Sequence, residues 1–257
     1  MWVNNIMKPS VFDVIVVGGG HAGSEAAASA ANMGSSTLLI TMNLQNIAQM
    51  SCNPAMGGIA KGQIVREIDA MGGYSGIVSD KTAIQFKMLN KSKGPAMWSP
   101  RVQSDRMRFA EEWRLMLERT KNLDFYQEMV AGLIIENGKI KGVRTSLGIE
   151  VKCKSVVLTN GTFLNGLIHI GDEKTPAGRY AEKPSTGLSE QLEKFKMKLG
   201  RLKTGTPPRL DGSTINYNDL EKQDADRNPE YFSFLTNKTY NKQIVCSVTY
   251  TNKKVHD

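Results

Sequence analysis

The first part of the chain changes between two hydrophobic periods. Residues 12–17 (Phe-Asp-Val-Ile-Val-Val) are almost entirely apolar, which is typical of a buried strand. Glycines follow at positions 18 to 20, and an alanine-rich stretch then predicts a helix from about residue 22 to residue 33, ended by Gly34. Residues 36–41 are again largely apolar and predict the second strand of a parallel βαβ unit.

The middle of the chain predicts two amphipathic helices. Asn53-Pro54 has the residue types of an N-cap and a first helical position, and the apolar residues after it share one helical face up to Gly72. Ser99-Pro100 gives a second start of the same kind. The helix after it is predicted to end near Asn122.

From residue 123 to residue 158 the hydrophobic period becomes that of strands. Asn137-Gly138 and Leu147-Gly148 mark turns and indicate a small antiparallel meander. Residues 155–161 then predict a buried parallel strand that ends on glycine. Polar and turn residues dominate from Arg201 onward, so we expect a domain boundary there.

This order of elements predicts an α/β fold. Two-dinucleotide flavoproteins, which have a Rossmann-like FAD-binding fold, show the same order: a glycine-rich βαβ unit, helices, an antiparallel meander and a strand ending in Thr-x-Gly. We therefore predict an incomplete FAD-binding domain at residues 11–200. Residues 201–257 are predicted to begin an inserted second domain, truncated here, on the side of the substrate and NADH.

The predicted turn at residues 18–23 has the sequence Gly-Gly-Gly-His-Ala-Gly. In the dinucleotide-binding pattern, Gly18 permits the tight turn, Gly20 lets a pyrophosphate approach the backbone, and Gly23 lets the helix pack closely on the strand. The free N–H groups at the helix start then point at the anion. The acid that usually holds the ribose after the second strand is missing, which leaves Thr41 or Asn43 as substitutes.

Composition excludes several classes of protein. Runs of about 18 or more apolar residues are missing, and residues 1–10 lack the apolar core of a signal peptide, so we predict a cytoplasmic protein without a membrane span. The three cysteines have neither CxxC nor metal-ligand spacing, so we predict no metal site and no disulfide framework. The formal net charge of +8 favours a polyanionic partner without being specific for one.

Five collinear motifs resemble the MnmG (GidA) family, and the match runs from Phe12 to the last residue. They are Gly-Gly-Gly-His-Ala-Gly at 18–23, Gln-Met-Ser-Cys-Asn-Pro-Ala at 49–55, Lys-Gly-Pro-Ala at 93–96, Gly-Thr-Phe-Leu at 161–164 and Gly-Arg-Leu-Lys-Thr-Gly-Thr-Pro-Pro-Arg at 200–209. The resemblance implies an FAD-dependent enzyme that works with the GTPase MnmE and adds a carboxymethylaminomethyl-type group to C5 of the tRNA wobble uridine, U34. It also implies NADH as reductant, methylenetetrahydrofolate as one-carbon donor, a homodimer, and a heterotetramer with MnmE.

The resemblance also assigns site residues. It marks Cys52 as a catalytically important thiol and implies FAD contacts at Gly18, Gly19, Gly20, His21, Ala22, Gly23, Val130 and Ser185. Family members continue for several hundred residues beyond the point that matches residue 257, and a second important cysteine lies there. We therefore expect an N-terminal fragment that binds FAD weakly and is inactive by itself.

Cys52 has two interpretations. A thiol just before a helix that begins at Asn53-Pro54 would have its thiolate favoured by the helix dipole, and a thiolate can add to C6 of uracil and so activate C5. Residue type alone favours a small buried hydrophobe at a tight turn. The resemblance favours the catalytic thiol, with the family's second cysteine as the alternative attacking group.

Other candidate side chains also have alternatives. Lys203 and Arg209 are candidate tRNA-phosphate contacts because neighbouring Gly and Pro residues fix their backbone; otherwise they would contact FAD, folate or NADH. His21 is expected to act through its backbone N–H rather than as a proton donor to a flavin. Strand packing is expected of the remaining candidates, Cys153, Cys246 and His169.

Other functions share parts of this pattern. Folate- and FAD-dependent tRNA methyltransferases share the fold and the one-carbon donor, but the motifs around Cys52 and Lys203 resemble MnmG more closely. A small-molecule flavin oxidoreductase would need no basic surface. A binding or folding unit would have no activity of its own.

Overall fold

The computed structural model describes residues 11–256. They form two compact units that alternate along the chain. The first unit contains residues 11–49 and Trp113–Lys203, and the second contains Met50–Glu112 and residues 204–256. The segment Met50–Glu112 thus lies within the range that we assigned to one FAD-binding domain. The domain limits at 11–200 and 201–257 stay a prediction.

Thirteen strands and six α-helices make up the described part of the chain. In chain order they are β1 (Phe12–Val17), α1 (His21–Asn32), β2 (Thr37–Thr41), β3 (Ala55–Gly57), α2 (Lys61–Ala70), α3 (Ser75–Thr82), β4 (Ala83–Leu89), β5 (Ser99–Ser104), α4 (Arg106–Glu118), β6 (Leu123–Gln127), β7 (Val130–Glu136), β8 (Lys139–Thr145), β9 (Glu150–Leu158), β10 (Leu167–Ile170), β11 (Glu173–Pro176), α5 (Leu188–Lys194), β12 (Glu221–Gln223), β13 (Cys246–Val248) and α6 (Lys253–His256). Within residues 11–256, none of the helices is long and apolar enough to cross a membrane.

The first unit is built around a six-stranded sheet with the order β6-β2-β1-β9-β8-β7. Strand β1 pairs in parallel with β2 and β9, and β2 pairs in parallel with β6. Strand β8 is antiparallel to both β7 and β9, so β9 joins the parallel and antiparallel parts of the sheet. This confirms the predicted Rossmann-like α/β fold with its meander. One detail was wrong: β6 is a parallel strand, because the crossover through α4 returns the chain in the direction of β2.

The core of this sheet is formed by apolar side chains of its strands together with Leu188 of α5. Fully or almost fully buried members include Phe12, Ile15, Val17, Leu38, Ile40, Val130, Val143, Val151 and Leu188. Helix α4 buries Phe109, Trp113 and Leu117, which lie four residues apart on one face as their spacing predicts.

The predicted helix start at Asn53-Pro54 is wrong. These residues precede β3, and α2 begins only at Lys61. Strand β3 pairs antiparallel with β5, and Gly57 at its end packs so closely that a Cβ there would lie 2.3 Å from the carbonyl oxygen of Pro100. The backbone of residues 55–57 is therefore part of a β-sheet and not of a helix. Cys52 therefore does not lie next to a helix N-terminus.

The predicted start at Ser99-Pro100 is also wrong, because these residues begin β5, the middle strand of the sheet β3-β5-β4. The N-terminus of α4 instead has Asp105 before it. Its Oδ1 accepts hydrogen bonds from the N–H groups of Met107 at 3.0 Å and Arg108 at 3.2 Å. Asp105 is thus the N-cap of α4.

Candidate functional site

The turn between β1 and α1 is tight in a way that requires glycine. Gly18 has a φ of +107°, a region that residues with a side chain rarely adopt, and its N–H donates to the carbonyl of Ile40 at 2.8 Å. A Cβ at Gly23 would lie 1.8 Å from the carbonyl oxygen of Gly18. Glycine at both positions lets the helix begin directly against the end of the strand.

Gly20, on the same turn, is open to solvent. It is exposed, and a Cβ built on it would meet no atom within 4 Å. Gly20 is also the N-cap of α1, so it offers no side chain to satisfy the first N–H groups of the helix, which have no intrahelical acceptor. Open space and the positive end of the helix dipole together fit a phosphate anion.

The end of β9 lies beside this turn. Thr159 follows β9 directly, and its N–H donates to the carbonyl of Val17 at 2.9 Å. Its hydroxyl lies 2.9 Å from the same oxygen and 3.0 Å from the carbonyl oxygen of Gly18. The Thr-x-Gly turn after β9 is therefore held against the first glycine turn. Ligands of such sheets bind at the carboxyl ends of the parallel strands, which meet here.

The His21 side chain takes part in the local structure of the turn. Its Nε2 lies 3.0 Å from the carbonyl oxygen of Ala48, and since a carbonyl only accepts, Nε2 is the donor. The N–H of Ala48 in turn donates to the carbonyl of Gly19 at 2.7 Å. The ring thus helps to hold the loop after β2 in place. A role for the His21 backbone N–H toward an anion stays a prediction.

Two predicted cofactor contacts from later in the chain, Val130 and Ser185, also belong to the first unit. Val130 is buried in the core of the sheet at the start of β7. Ser185 is buried as well; its N–H donates to the carbonyl of Phe163 at 2.7 Å, and its Oγ lies 3.5 Å from Nδ2 of Asn160, in the turn that follows β9. Their contacts with a flavin stay predictions.

Of the two substitutes for the missing acid, Thr41 lies closer to the glycine turn. Its Oγ1 would be 3.1 Å from a Cβ at Gly19. The Oδ1 of Asn43 instead accepts a hydrogen bond from the N–H of Gln45 at 2.8 Å and caps a short 3-10 turn. The geometry therefore favours Thr41 over Asn43 as a polar group near a bound dinucleotide.

Cys52 belongs to the second unit and is half-buried. Its Sγ lies 3.6 Å from the hydroxyl oxygen of Thr206. The guanidinium of Arg209 donates through Nη2 to the carbonyls of Ser51 at 3.0 Å and Cys52 at 3.1 Å. Arg209 was predicted to have a binding role and Thr206 was not predicted as a site residue, although both lie in the Gly-Thr-Pro-Pro-Arg motif. No local signal links that motif to Cys52, which lies 157 residues before Arg209.

The other candidates are placed separately. Lys203 is exposed and is the last residue of the first unit. Cys153 is buried in β9, and burial raises the pKa of its thiol to about 11, which makes it unreactive. The Sγ of Cys246 in β13 accepts a hydrogen bond from Gln103 Nε2 at 3.0 Å. Among residues 11–256, no three His, Cys, Asp or Glu side chains are grouped so that they could hold a metal ion.

Comparisons with known proteins agree with one another. The family model described as glucose inhibited division protein A matches residues 13–257. Proteins named tRNA uridine 5-carboxymethylaminomethyl modification enzyme MnmG are 71% identical over 248 residues in Flavobacterium johnsoniae and 72% identical over 247 residues in Christiangramia forsetii; each alignment covers 96% of this chain. The chain spans about 40% of the length of these relatives. A crystal structure of Aquifex aeolicus GidA superposes with a TM-score of 0.93 at 49% identity, covering 97% of this chain and 42% of that one.

Proposed function

The chain belongs to the glucose inhibited division protein A family, and we propose that it is the part of a tRNA-modifying enzyme that holds the FAD pyrophosphate and carries a reactive thiol. The reaction we propose is the addition of a carboxymethylaminomethyl-type group to C5 of the wobble uridine in tRNA. The observation that carries the proposal is the glycine turn, whose open N-terminal helix end has the geometry that a dinucleotide needs, in a chain that matches this family over residues 13–257.

We assign FAD to the carboxyl edge of the parallel strands in the first unit. The backbone from Gly18 to Gly23 would hold the pyrophosphate, and Ser185 and Val130 would contact the rest of the cofactor. When bound, FAD supplies the redox chemistry at the one-carbon unit, with NADH as reductant and methylenetetrahydrofolate as one-carbon donor. The role of this chain is to hold the dinucleotide and keep its phosphates against the helix N-terminus.

Cys52 is assigned the activation of uracil. Addition of its thiolate to C6 forms an S–C6 bond and moves the π electrons of the C5=C6 bond to C5, which becomes an enolate-like nucleophile. After C5 has attacked an electrophilic one-carbon unit, loss of the C5 proton to solvent restores the double bond and expels the thiolate. The alternative attacking group is the second cysteine that the family carries outside this chain.

The proposed partners follow from the same reaction. The substrate is tRNA, whose phosphates fit the net charge of +8, and exposed Lys203 is the phosphate contact that we favour. A homodimer that assembles with the GTPase MnmE, working in the cytoplasm, completes the proposal.

The test is a Cys52→Ala variant of the protein that contains this chain, expressed in a strain that lacks its own wobble-modifying enzyme. We expect normal FAD content, because Cys52 is not among the residues that we assign to the cofactor, and loss of the modified wobble nucleoside by mass spectrometry of hydrolysed tRNA. Cys246→Ala is the matched control, since Cys246 is also half-buried, and it should restore the nucleoside. Wild-type levels in the Cys52→Ala strain would remove Cys52 from the mechanism.

A further inference from the structure

We propose that residues 206–209, Thr-Pro-Pro-Arg, form a clamp that positions the Cys52 thiol, with Arg209 fixing its backbone and Thr206 its sulfur. The proposal rests on the proposed role of Cys52 as a reactive thiol. It gives Arg209 a function as a positioning residue that differs from contact with tRNA phosphate. All the residues of the clamp belong to the second unit.

The chain on the C-terminal side of Cys52 is fixed by the sheet. The carbonyl of Pro54 accepts a hydrogen bond from the N–H of Ser104 at 2.7 Å, and β3 then pairs with β5 from Ala55 to Gly57. Ladder hydrogen bonds of this kind hold the chain from residue 54 onward. The conformation of Cys52 itself depends on what holds residues 51 and 52.

Arg209 supplies that constraint. The carbonyls of Ser51 and Cys52, at 3.0 and 3.1 Å from the same Nη2, belong to the two peptide planes that flank the Cα of Cys52. Holding both planes restricts φ and ψ of Cys52, and therefore the direction of its Cα–Cβ bond. A guanidinium suits this task because it is always protonated and presents its donors in a rigid plane.

Thr206 acts on the sulfur directly. Its Oγ1 lies 3.6 Å from Sγ, within hydrogen-bond distance for sulfur. When the sulfur is a thiolate it only accepts, so the hydroxyl donates and stabilises the charged form. Pro207 and Pro208 separate Thr206 from Arg209, and each fixes its own φ while restricting the residue before it. The two prolines thus restrict the backbone that joins Thr206 to Arg209.

The experiment measures the alkylation rate of Cys52 by iodoacetamide in the complete protein, resolved from other cysteines by peptide mass spectrometry. Because the thiolate is the nucleophile, Thr206→Val should slow alkylation by about fivefold, the equivalent of one ordinary hydrogen bond. Thr206→Ser keeps the hydroxyl and should stay within about twofold of wild type. Arg209→Gln should slow alkylation as well, since the backbone that presents the sulfur is released.

Arg201→Gln is the matched control, because Arg201 is an exposed arginine of the same stretch that donates to a carbonyl in the first unit, that of Asn165 at 3.0 Å. It should leave the rate unchanged. Unchanged or faster alkylation in Thr206→Val, or equal slowing by Thr206→Ser and Thr206→Val, would overturn the clamp. These rates do not depend on tRNA modification, so a fully active Cys52→Ala variant would remove Cys52 from the proposed mechanism while leaving the clamp measurable.

Discussion

Gly20 offers a substitution that separates cofactor binding from folding. A Cβ at Gly20 would meet no atom of the protein within 4 Å, and its φ of −73° and ψ of −175° are allowed to any residue. Gly20→Ala and Gly20→Val should therefore fold normally. The added side chain would stand where a pyrophosphate must approach the N–H groups at the start of α1.

This geometry gives the expected changes in stability and in FAD affinity. For Gly20→Ala, the reduced freedom of the unfolded chain stabilises by about 0.4–1 kcal/mol and the poorer N-cap costs a similar amount, so the free energy of unfolding should change by less than about 1 kcal/mol. Loss of two hydrogen bonds to a charged phosphate costs about 3–6 kcal/mol of binding free energy. FAD should then bind at least about a hundredfold more weakly.

The assay is FAD titration of the complete protein, followed by flavin fluorescence, beside urea unfolding of the same samples. Gly200→Val is the matched control, because a Cβ at Gly200 also meets no atom within 4 Å but this glycine lies far along the chain from the turn. A Gly20→Val protein that is fully loaded with FAD at wild-type affinity would refute the assignment of the phosphate to this turn. A Gly20→Val protein that fails to fold would show that the space around Gly20 is not open.

Three further predictions test other parts of the structure. Gly23→Ala should lower the free energy of unfolding by more than about 2 kcal/mol in urea titration, because its Cβ would lie 1.8 Å from the Gly18 carbonyl; an unchanged midpoint would contradict the close packing. Lys203→Glu should weaken tRNA binding and reduce the slope of log affinity against log salt concentration by about one, while FAD affinity stays constant. Arg209 is left unchanged in this variant because it holds the Cys52 backbone. Weaker FAD binding with unchanged tRNA binding would instead assign Lys203 to the cofactor. Burial raises the pKa of Asp80 to about 6, so the folded state binds the Asp80 proton more tightly than the unfolded state does. As pH rises from about 4 to above 6, the wild type should therefore lose about 3 kcal/mol of stability relative to Asp80→Asn. A stability difference between the two proteins that stays constant with pH would contradict this prediction.

The elements that could be predicted from the sequence are those whose backbone is determined by residues close together in the chain. The glycine turn and the Asn137-Gly138 hairpin were predicted because single residues at positive φ determine both. The helix start at Asn53-Pro54 failed because pairing with a strand more than 40 residues away decides that backbone. The contact of Arg209 with Cys52 joins positions 157 residues apart, and the local pattern contains no information about it. Asp105 has the residue type of an N-cap and directly precedes α4, but only Ser99-Pro100 was considered as the start of this helix.

A crystal structure of the complete protein loaded with FAD would show whether a flavin dinucleotide is held at the turn between β1 and α1. We expect pyrophosphate oxygens within about 3 Å of backbone nitrogen atoms at Gly20, His21 or Ala22, with Thr159 and Ser185 on the same side of the sheet. A fully occupied flavin whose pyrophosphate binds away from residues 18–23 would contradict this placement of the dinucleotide.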